Sequence, residues 1–252
     1  MKFYKSDNSI FDQDYDYMVS LGHRCCVGQG LNYMRKSSFP FDWQITQING
    51  LPNLFRNNLQ NFYGNPFVEF VHEINFPDGT VDTKATFETY QRRSDRLVKL
   101  LQDNNRKLLF IRSKYTWYWY KNNNLLQKDM YPVNYDLQCL MELSDVLTNQ
   151  YKNTNFEILY VYQDTRNWAD WSFNQDGVCV GKEFVLPSNE DSVEIAKSLT
   201  YIEQDGFKDK HITPFIVYPG KHRLEGNRYL TEIFKHVRLT NIQDFKLPYG
   251  FE

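Results

Sequence analysis

The chain has 252 residues and a formal net charge of −2, with 41% hydrophobic and 17% aromatic residues. This length allows one large domain with a sizeable core, and we predict a single α/β domain over residues 1–252. A charge near zero gives no general attraction to nucleic acid or to an anionic membrane, so we predict no nucleic-acid partner.

Membrane and secretion signals are absent from the sequence pattern. No apolar run approaches the roughly 20 residues that a membrane-spanning helix needs, and residues 1–7 lack the apolar core of a signal peptide. We therefore predict no transmembrane segment and a cytoplasmic location. Four cysteines do not form a secreted disulfide framework in a chain this long, and no Cys-x-x-Cys spacing suggests zinc, so reduced thiols are expected.

The first part of the chain alternates strand-like and helix-like patterns. Residues 17–21 form an apolar run that predicts a strand, and residues 26–35 have helical spacing. The pattern continues with a short helix at 51–62, a strand at 67–72 and a turn at 77–79.

The same alternation continues to the end of the chain. Apolar spacing predicts helices at 87–104 and 136–151, each followed by a buried strand, at 107–112 and 156–162. Further along, the sequence predicts a hairpin of 178–180 with 183–186 about Gly181, a helix from Ser188 through Tyr201, a strand at 213–218 and a helix at 227–237.

Strands that alternate with helices of this length predict an α/β fold. We expect a mainly parallel sheet flanked by helices, Rossmann-like, with a small β-hairpin insertion. Ligands of such folds bind beyond the carboxyl ends of the strands. The turn at Gly22–Cys26 is predicted to lie at such an end, and so are Arg112 and residues 163–166.

The segment from Tyr17 to Cys26 predicts a strand, a tight loop and a helix N-terminus. Backbone N–H groups at a helix N-terminus lack partners, and the helix dipole adds partial positive charge there. Such a place suits either a phosphate or a thiolate. A nucleophilic Cys25 and a structural role for the pair Cys25-Cys26 therefore both remain open.

Two further groups of residues carry candidate chemistry. Of the five histidines, His23 and His72 each fall at a predicted strand end, where a general base would be useful. Arg92, Arg93 and Arg96 lie on successive turns of one helix and form either a fork for an anion or a solvated face paired with acidic neighbours. Because Arg112 follows on the next strand, the fork for an anion is favoured over the solvated face.

Several common sites are not indicated. The chain has no Gly-x-Gly-x-x-Gly, no Walker loop and no Gly-x-Ser-x-Gly, which removes the commonest dinucleotide, triphosphate and serine-hydrolase interpretations. Its short acidic motifs do not have the context of a metal site, so we predict neither a metal nor another cofactor. The many aromatic residues supply core volume, and such rings also line sugar and base sites.

The first half of the chain contains several short motifs in order: Ser20-Leu21-Gly22-His23-Arg24-Cys25, Leu31, Pro40-Phe41-Asp42-Trp43, Phe70-Val71-His72, Tyr90 with Arg93 and Arg96, and Phe110-Ile111-Arg112. Together they resemble a family of microbial and viral proteins of unknown function that carries the provisional label of papain-like cysteine peptidase. The resemblance implies Cys25 as nucleophile and His72 or a later histidine as its base. It also implies an association with glycan-assembly enzymes.

Our leading hypothesis is a glycosyltransferase that uses a nucleotide-sugar donor and a glycan acceptor. Gly22, His23 and Arg24 would line the donor site, and Arg93, Arg96 and Arg112 would contact phosphate, with Asp42 or His72 as base. The first alternative is a papain-like cysteine peptidase or other thiol hydrolase acting through Cys25. The second alternative is a noncatalytic module that binds an anion or a partner protein.

Overall fold

The structure, a computed structural model, describes residues 10–23, 27–28, 31, 37–70, 73–115, 133–163, 172–173, 179–180, 199–201, 208–217, 234 and 237–239. Its strands are β1 (Asp14–Tyr15), β2 (Tyr17–Ser20), β3 (Gln44–Thr46), β4 (Val68–Phe70), β5 (Leu108–Tyr115), β6 (Phe156–Gln163), β7 (Ser172–Phe173), β8 (Cys179–Val180), β9 (Leu199–Tyr201), β10 (Ile212–Val217) and β11 (Arg238–Leu239). The helices whose bounds it describes are α1 (Leu51–Arg56), α2 (Thr83–Leu101) and α3 (Val133–Gln150).

A mostly parallel sheet organises these elements. Its strand order is β2-β5-β6-β10-β9, in which the first four strands are parallel and β9 is antiparallel to β10. Three two-stranded pairs accompany it: β1 with β11, β3 with β4, and β7 with β8. The α/β class predicted from the sequence is confirmed in this form.

Both faces of the sheet are covered, as a parallel sheet requires. Alternate side chains of a strand point to opposite faces. Val19, Phe110 and Ile158 belong to the core that also contains apolar side chains of α1, α2 and α3. Leu109 and Leu159, at the intervening positions, are buried as well. Continuous apolar runs in β5 and β6 follow from this two-sided burial.

The helices form where the sequence places their signals. Helix α2 begins after Asp82, whose side chain accepts a hydrogen bond from the Ala85 N–H at 2.9 Å, and buries Tyr90, Leu97 and Leu101 on one side.

The last carbonyls of α1 accept hydrogen bonds from α3 and from the residue after it. Gln150 donates to Phe55 and Arg56 carbonyls, and the Tyr151 hydroxyl donates to the Phe55 carbonyl at 2.5 Å.

Two predicted elements need correction. The helix expected through Tyr201 is wrong at its end, because Leu199–Tyr201 is the antiparallel edge strand β9. Cys179–Val180 does form a strand, but the structure pairs it with the preceding Ser172–Phe173. Residues 181–198, which include the predicted second hairpin strand and the start of that helix, lie outside the described residues.

Other predictions are met in part, and the helix predicted at 51–62 ends at Arg56. The turn at 77–79 is present, with Gly79 at φ +86°, and the predicted helix at 26–35 is helical at Val27, Gly28 and Leu31. The predicted helix at 227–237 is helical at Phe234 but not at Val237, which lies in a bend, and its other positions lie outside the described residues. Arg112 lies within β5 and does not end it, since the strand continues to Tyr115. No helix in the described ranges is long and apolar enough to cross a bilayer.

Near the amino ends of β5, β6 and β10, a partly buried carboxylate makes stability depend on pH. Burial raises the pKa of Glu157 above its ordinary value of 4.5, while His211, 3.6 Å away, and Lys107 oppose the rise. A raised carboxyl pKa means that the folded state favours the protonated form. The stability that it contributes is present below about pH 4.5 and is lost as pH rises through the raised value.

We therefore expect Glu157→Gln to flatten the fall in stability as the pH increases above 4.5. Urea unfolding of both proteins across a series of pH values measures this difference. Asp145→Asn, at an exposed carboxylate paired with Lys210, is the matched control and should retain the wild-type profile. Parallel profiles for the wild type and Glu157→Gln would contradict the assignment.

Candidate functional site

The turn that follows β2 is built from strained, buried backbone. Ser20 Oγ accepts a hydrogen bond from the Gly22 N–H at 3.0 Å, and Gly22 and His23 have φ values of +75° and +80°. A non-glycine residue rarely adopts such a φ, and strained backbone of this kind is concentrated at functional sites. His23 is only 1% exposed, so the turn is enclosed on the side of its imidazole.

Strand β3 packs directly against this turn. A Cβ atom built on Gly22 would lie 2.6 Å from Thr46 Oγ1 and 2.9 Å from Thr46 Cβ, both shorter than a normal contact. Thr46 Oγ1 is buried and has no hydrogen-bond partner among the described residues. The close approach therefore requires glycine at position 22 and leaves a hydroxyl group beside the turn.

The Pro40-Phe41-Asp42-Trp43 motif lies against the start of the predicted first helix. A Cβ built on Gly28 would lie 1.9 Å from the Asp42 carbonyl oxygen, so the two backbones touch. The Asp42 carboxylate is 1% exposed, and its Oδ2 accepts a hydrogen bond from the Phe39 N–H at 2.6 Å. Asp42 thus stabilises the turn that carries the motif.

Tyr90 of α2 connects the helix to β3. The side-chain amide of Gln44 donates to the Tyr90 hydroxyl, and the Arg93 guanidinium lies 5.0 Å from the centre of the Tyr90 ring. Burial raises the pKa of Tyr90 above its ordinary value of 10.0; Arg93 opposes the rise, and Asp42 and Glu73 add to it. Tyr90, Arg93 and Asp42 therefore share one electrostatic environment.

The arginine cluster of α2 divides among three partners. Arg93 lies over Tyr90, Arg96 Nη1 donates to the Ser38 carbonyl at 2.6 Å, and Arg92 Nη2 donates to Thr89 Oγ1 on its own helix at 3.1 Å. Arg96 thus contacts the segment just before the Pro-Phe-Asp-Trp motif, whereas Arg93 contacts a ring of its own helix. Arg92 belongs to the exposed face that the alternative interpretation predicted.

Arg112 brings positive charge under the turn after β2. Its Nη1 donates to the Leu21 carbonyl at 2.9 Å, and the whole side chain is 0% exposed. Arg112 pairs in register with Tyr160 of β6, whose hydroxyl donates to Asp136 Oδ2 of α3 at 2.6 Å. Buried polar groups therefore lie on β5, β6 and α3 inside the packed interior.

The structure places Gly22, His23 and Arg112 around one turn and Asp42 and Arg93 around Tyr90, with Arg96 at the Ser38 carbonyl. These six predicted site residues come from four separate parts of the sequence. Arg24, Cys25 and His72 lie outside the described residues. The arrangement offers enclosed positive charge, a turn with left-handed backbone and a buried hydroxyl. Such groups can bind an oxygen-rich anion and hold it away from water.

Several residues of this region were not predicted as site residues: Gln44, Thr46, Asp136 and Tyr160. Each is polar at a position where the apolar pattern of a strand or helix calls for a buried side chain. That mismatch was the available signal, since buried polar groups need partners. The partners themselves lie far away in sequence.

No family model matches the chain, and comparisons with curated proteins and with solved structures find no match. In the described part of the chain, no group of three or more His, Cys, Asp or Glu residues is placed to hold a metal ion.

Proposed function

We propose that the chain is a glycosyltransferase with a Rossmann-like arrangement, which transfers a sugar from a nucleotide-sugar donor to a glycan acceptor. The observation that carries the proposal is the hydrogen bond from Arg112 to the Leu21 carbonyl beneath the Gly22–His23 turn. It supports an anion site, because a buried guanidinium next to a turn at the carboxyl end of a parallel strand favours a diphosphate there.

In this proposal the groups around the turn have separate roles. Arg112 supplies charge and holds the turn, Gly22 allows a close approach of the turn to the donor, and Arg24 and His23 contact the diphosphate. The Thr46 hydroxyl, buried beside Gly22, is available to a ligand oxygen. Because Asp42 Oδ2 already holds the Phe39 N–H, we assign the role of general base to His72 rather than to Asp42.

Arg93 and Arg96 approach the donor from the side of the Pro-Phe-Asp-Trp motif. Their contacts with the Tyr90 ring and the Ser38 carbonyl leave most of their N–H groups for a ligand, since a guanidinium has five donors. We propose that they contact the donor phosphates or the nucleotide base. Cation–π stacking on Tyr90 would also keep Arg93 oriented before the ligand arrives.

A thiol hydrolase remains the second candidate, favoured by one feature of the chain. Strand β2 ends at Ser20 and helical backbone is present at Val27, so Cys25 lies in the crossover between them. A cysteine just before a helix has a lowered pKa and a larger thiolate fraction. This candidate uses Cys25 but assigns no role to the arginines.

Ligand-induced stabilisation tests the two candidates against each other. We expect one class of nucleotide sugar to raise the melting temperature by about 5 °C or more when it is supplied at about 100 times its Kd. Arg93→Ala with Arg96→Ala should reduce this shift, whereas Arg92→Ala should not. Cys25→Ser should leave both nucleotide binding and sugar transfer unchanged.

The opposite pattern would overturn the proposal. No shift with any nucleotide sugar, together with probe labelling and hydrolysis that Cys25→Ser abolishes, would establish the hydrolase. Tight binding of a nucleotide sugar without sugar transfer or hydrolysis of it would establish the noncatalytic module.

A further inference from the structure

A separate surface lies on the hairpin before α2 and on the first turns of that helix. We propose that this surface binds a cationic, apolar segment of another polypeptide. We call it the hairpin patch and define it by three exposed side chains: Ile74, Phe76 and Phe87. They are 40% to 49% exposed.

Hydrogen bonds hold the parts of the hairpin patch together. The Ile74 N–H donates to Thr86 Oγ1 of α2 at 2.9 Å, which holds the segment of Ile74 against the residue that precedes Phe87. The Phe76 N–H donates to the Thr80 carbonyl at 2.7 Å, and Asn75 bridges to Val81. In this register Ile74 and Phe76 share one face of the hairpin, and Val81 lies on the other face.

The hairpin patch is built on ordered local structure. Asp78 Oδ1 accepts from both the N–H and the hydroxyl of Thr80, at 2.9 Å and 2.6 Å, and Gly79 has φ +86°. The Phe87 ring packs at 6.5 Å from Tyr63, whose hydroxyl donates to Glu73. A surface fixed in this way presents its apolar groups without an ordering cost on binding.

Charge decides what this surface accepts. Residues 73–88 contain four carboxylates, Glu73, Asp78, Asp82 and Glu88, and one ammonium group, Lys84. Anionic lipid and nucleic acid would be repelled by these carboxylates, and a second copy docked patch to patch would bring like charges together. A segment with lysine or arginine around aromatic or aliphatic side chains is complementary in both charge and polarity.

The test uses synthetic peptides and fluorescence anisotropy. The probes are a labelled amphipathic Lys/Leu helix, the same peptide with Glu in place of Lys, and a Lys/Ser peptide without apolar residues. We expect only the Lys/Leu peptide to bind the wild-type protein. Its affinity should fall about tenfold in Phe76→Ser and in Phe87→Ser, since each removes an apolar anchor.

Matched charge reversals separate local from general attraction. Glu88→Lys, at the hairpin patch, should weaken binding severalfold. Asp95→Lys makes the same change in total charge about 10 Å further along α2 and should have little effect. Circular dichroism of each variant confirms that the helices remain folded.

Any of four results would overturn the inference. The first is no binding of the Lys/Leu peptide to the wild type, and the second is wild-type affinity in both Phe76→Ser and Phe87→Ser. The third is an equal effect of the two charge reversals. The fourth is a wild-type dimer that the phenylalanine variants lose. The dimer, measured by sedimentation, would identify a second copy of the chain as the occupant.

Discussion

Gly28→Ala should destabilise the protein by about 3 kcal/mol, although glycine-to-alanine changes within helices usually stabilise by up to about 1 kcal/mol. The reason is the contact between helix and turn. The new methyl group would lie 1.9 Å from the Asp42 carbonyl oxygen, and neither backbone can yield without moving the Pro-Phe-Asp-Trp motif. The expected sign is therefore opposite to that of helix propensity.

Two other glycines make the comparison quantitative. Gly64 has φ +84° with nothing within 4 Å of a built Cβ, so Gly64→Ala reports backbone strain alone, at about 1 kcal/mol. Gly22 combines φ +75° with the Thr46 contact, so Gly22→Ala should cost about 3 kcal/mol or more.

Urea unfolding of the three variants gives these free energies directly. A Gly28→Ala protein as stable as the wild type would show that the helical backbone at Gly28 does not contact the Asp42 carbonyl. The binding of a nucleotide sugar should also weaken in Gly28→Ala and Gly22→Ala, but not in Gly64→Ala. This second measurement connects the contact to the proposed donor site.

Arg112→Met should have the second large effect, on both stability and ligand binding. It removes a charge-assisted hydrogen bond to the Leu21 carbonyl inside the protein, and it leaves that buried carbonyl without this donor. Bonds of this kind contribute about 1.5 to 3 kcal/mol, and the cost of leaving a buried carbonyl without this donor adds to the loss. We expect a destabilisation of about 3 kcal/mol and the loss of nucleotide-sugar binding.

Arg112→Lys separates the charge from its geometry. Lysine keeps the positive charge but has a single compact ammonium group, so it reproduces neither the planar fork nor its reach. We expect it to recover part of the stability and little of the binding. Arg92→Met, at an exposed arginine bonded to Thr89, is the control and should change stability by no more than about 0.5 kcal/mol.

A different outcome would redirect the functional proposal. If Arg112→Met lost stability but bound nucleotide sugars with unchanged affinity, the guanidinium would serve the fold only. The anion site would then have to be sought at Arg93 and Arg96. If stability were also unchanged, the hydrogen bond to Leu21 would itself be refuted.

The site region was predicted from the sequence in its components but not in its contacts. The glycine turn at the end of β2 was visible because an apolar run stops there. The close contacts of Gly22 with Thr46 and of Gly28 with the Asp42 carbonyl were not visible, because the residues of each pair are 24 and 14 positions apart in the sequence. Arg112 was predicted at a strand end, whereas β5 continues past it and buries it.

Local sequence patterns were enough to predict the alternation of strands and helices and the positions of α2, α3, β5 and β6. Their apolar periodicity is local, and continuous apolar runs identify strands that are buried on both faces. Local patterns did not predict that Leu199–Tyr201 is a strand or that Ser172–Phe173 pairs with Cys179–Val180; contacts with other parts of the folded chain set both. Strand pairing depends on a partner elsewhere in the chain, and such a partner can override the local helical preference of a segment.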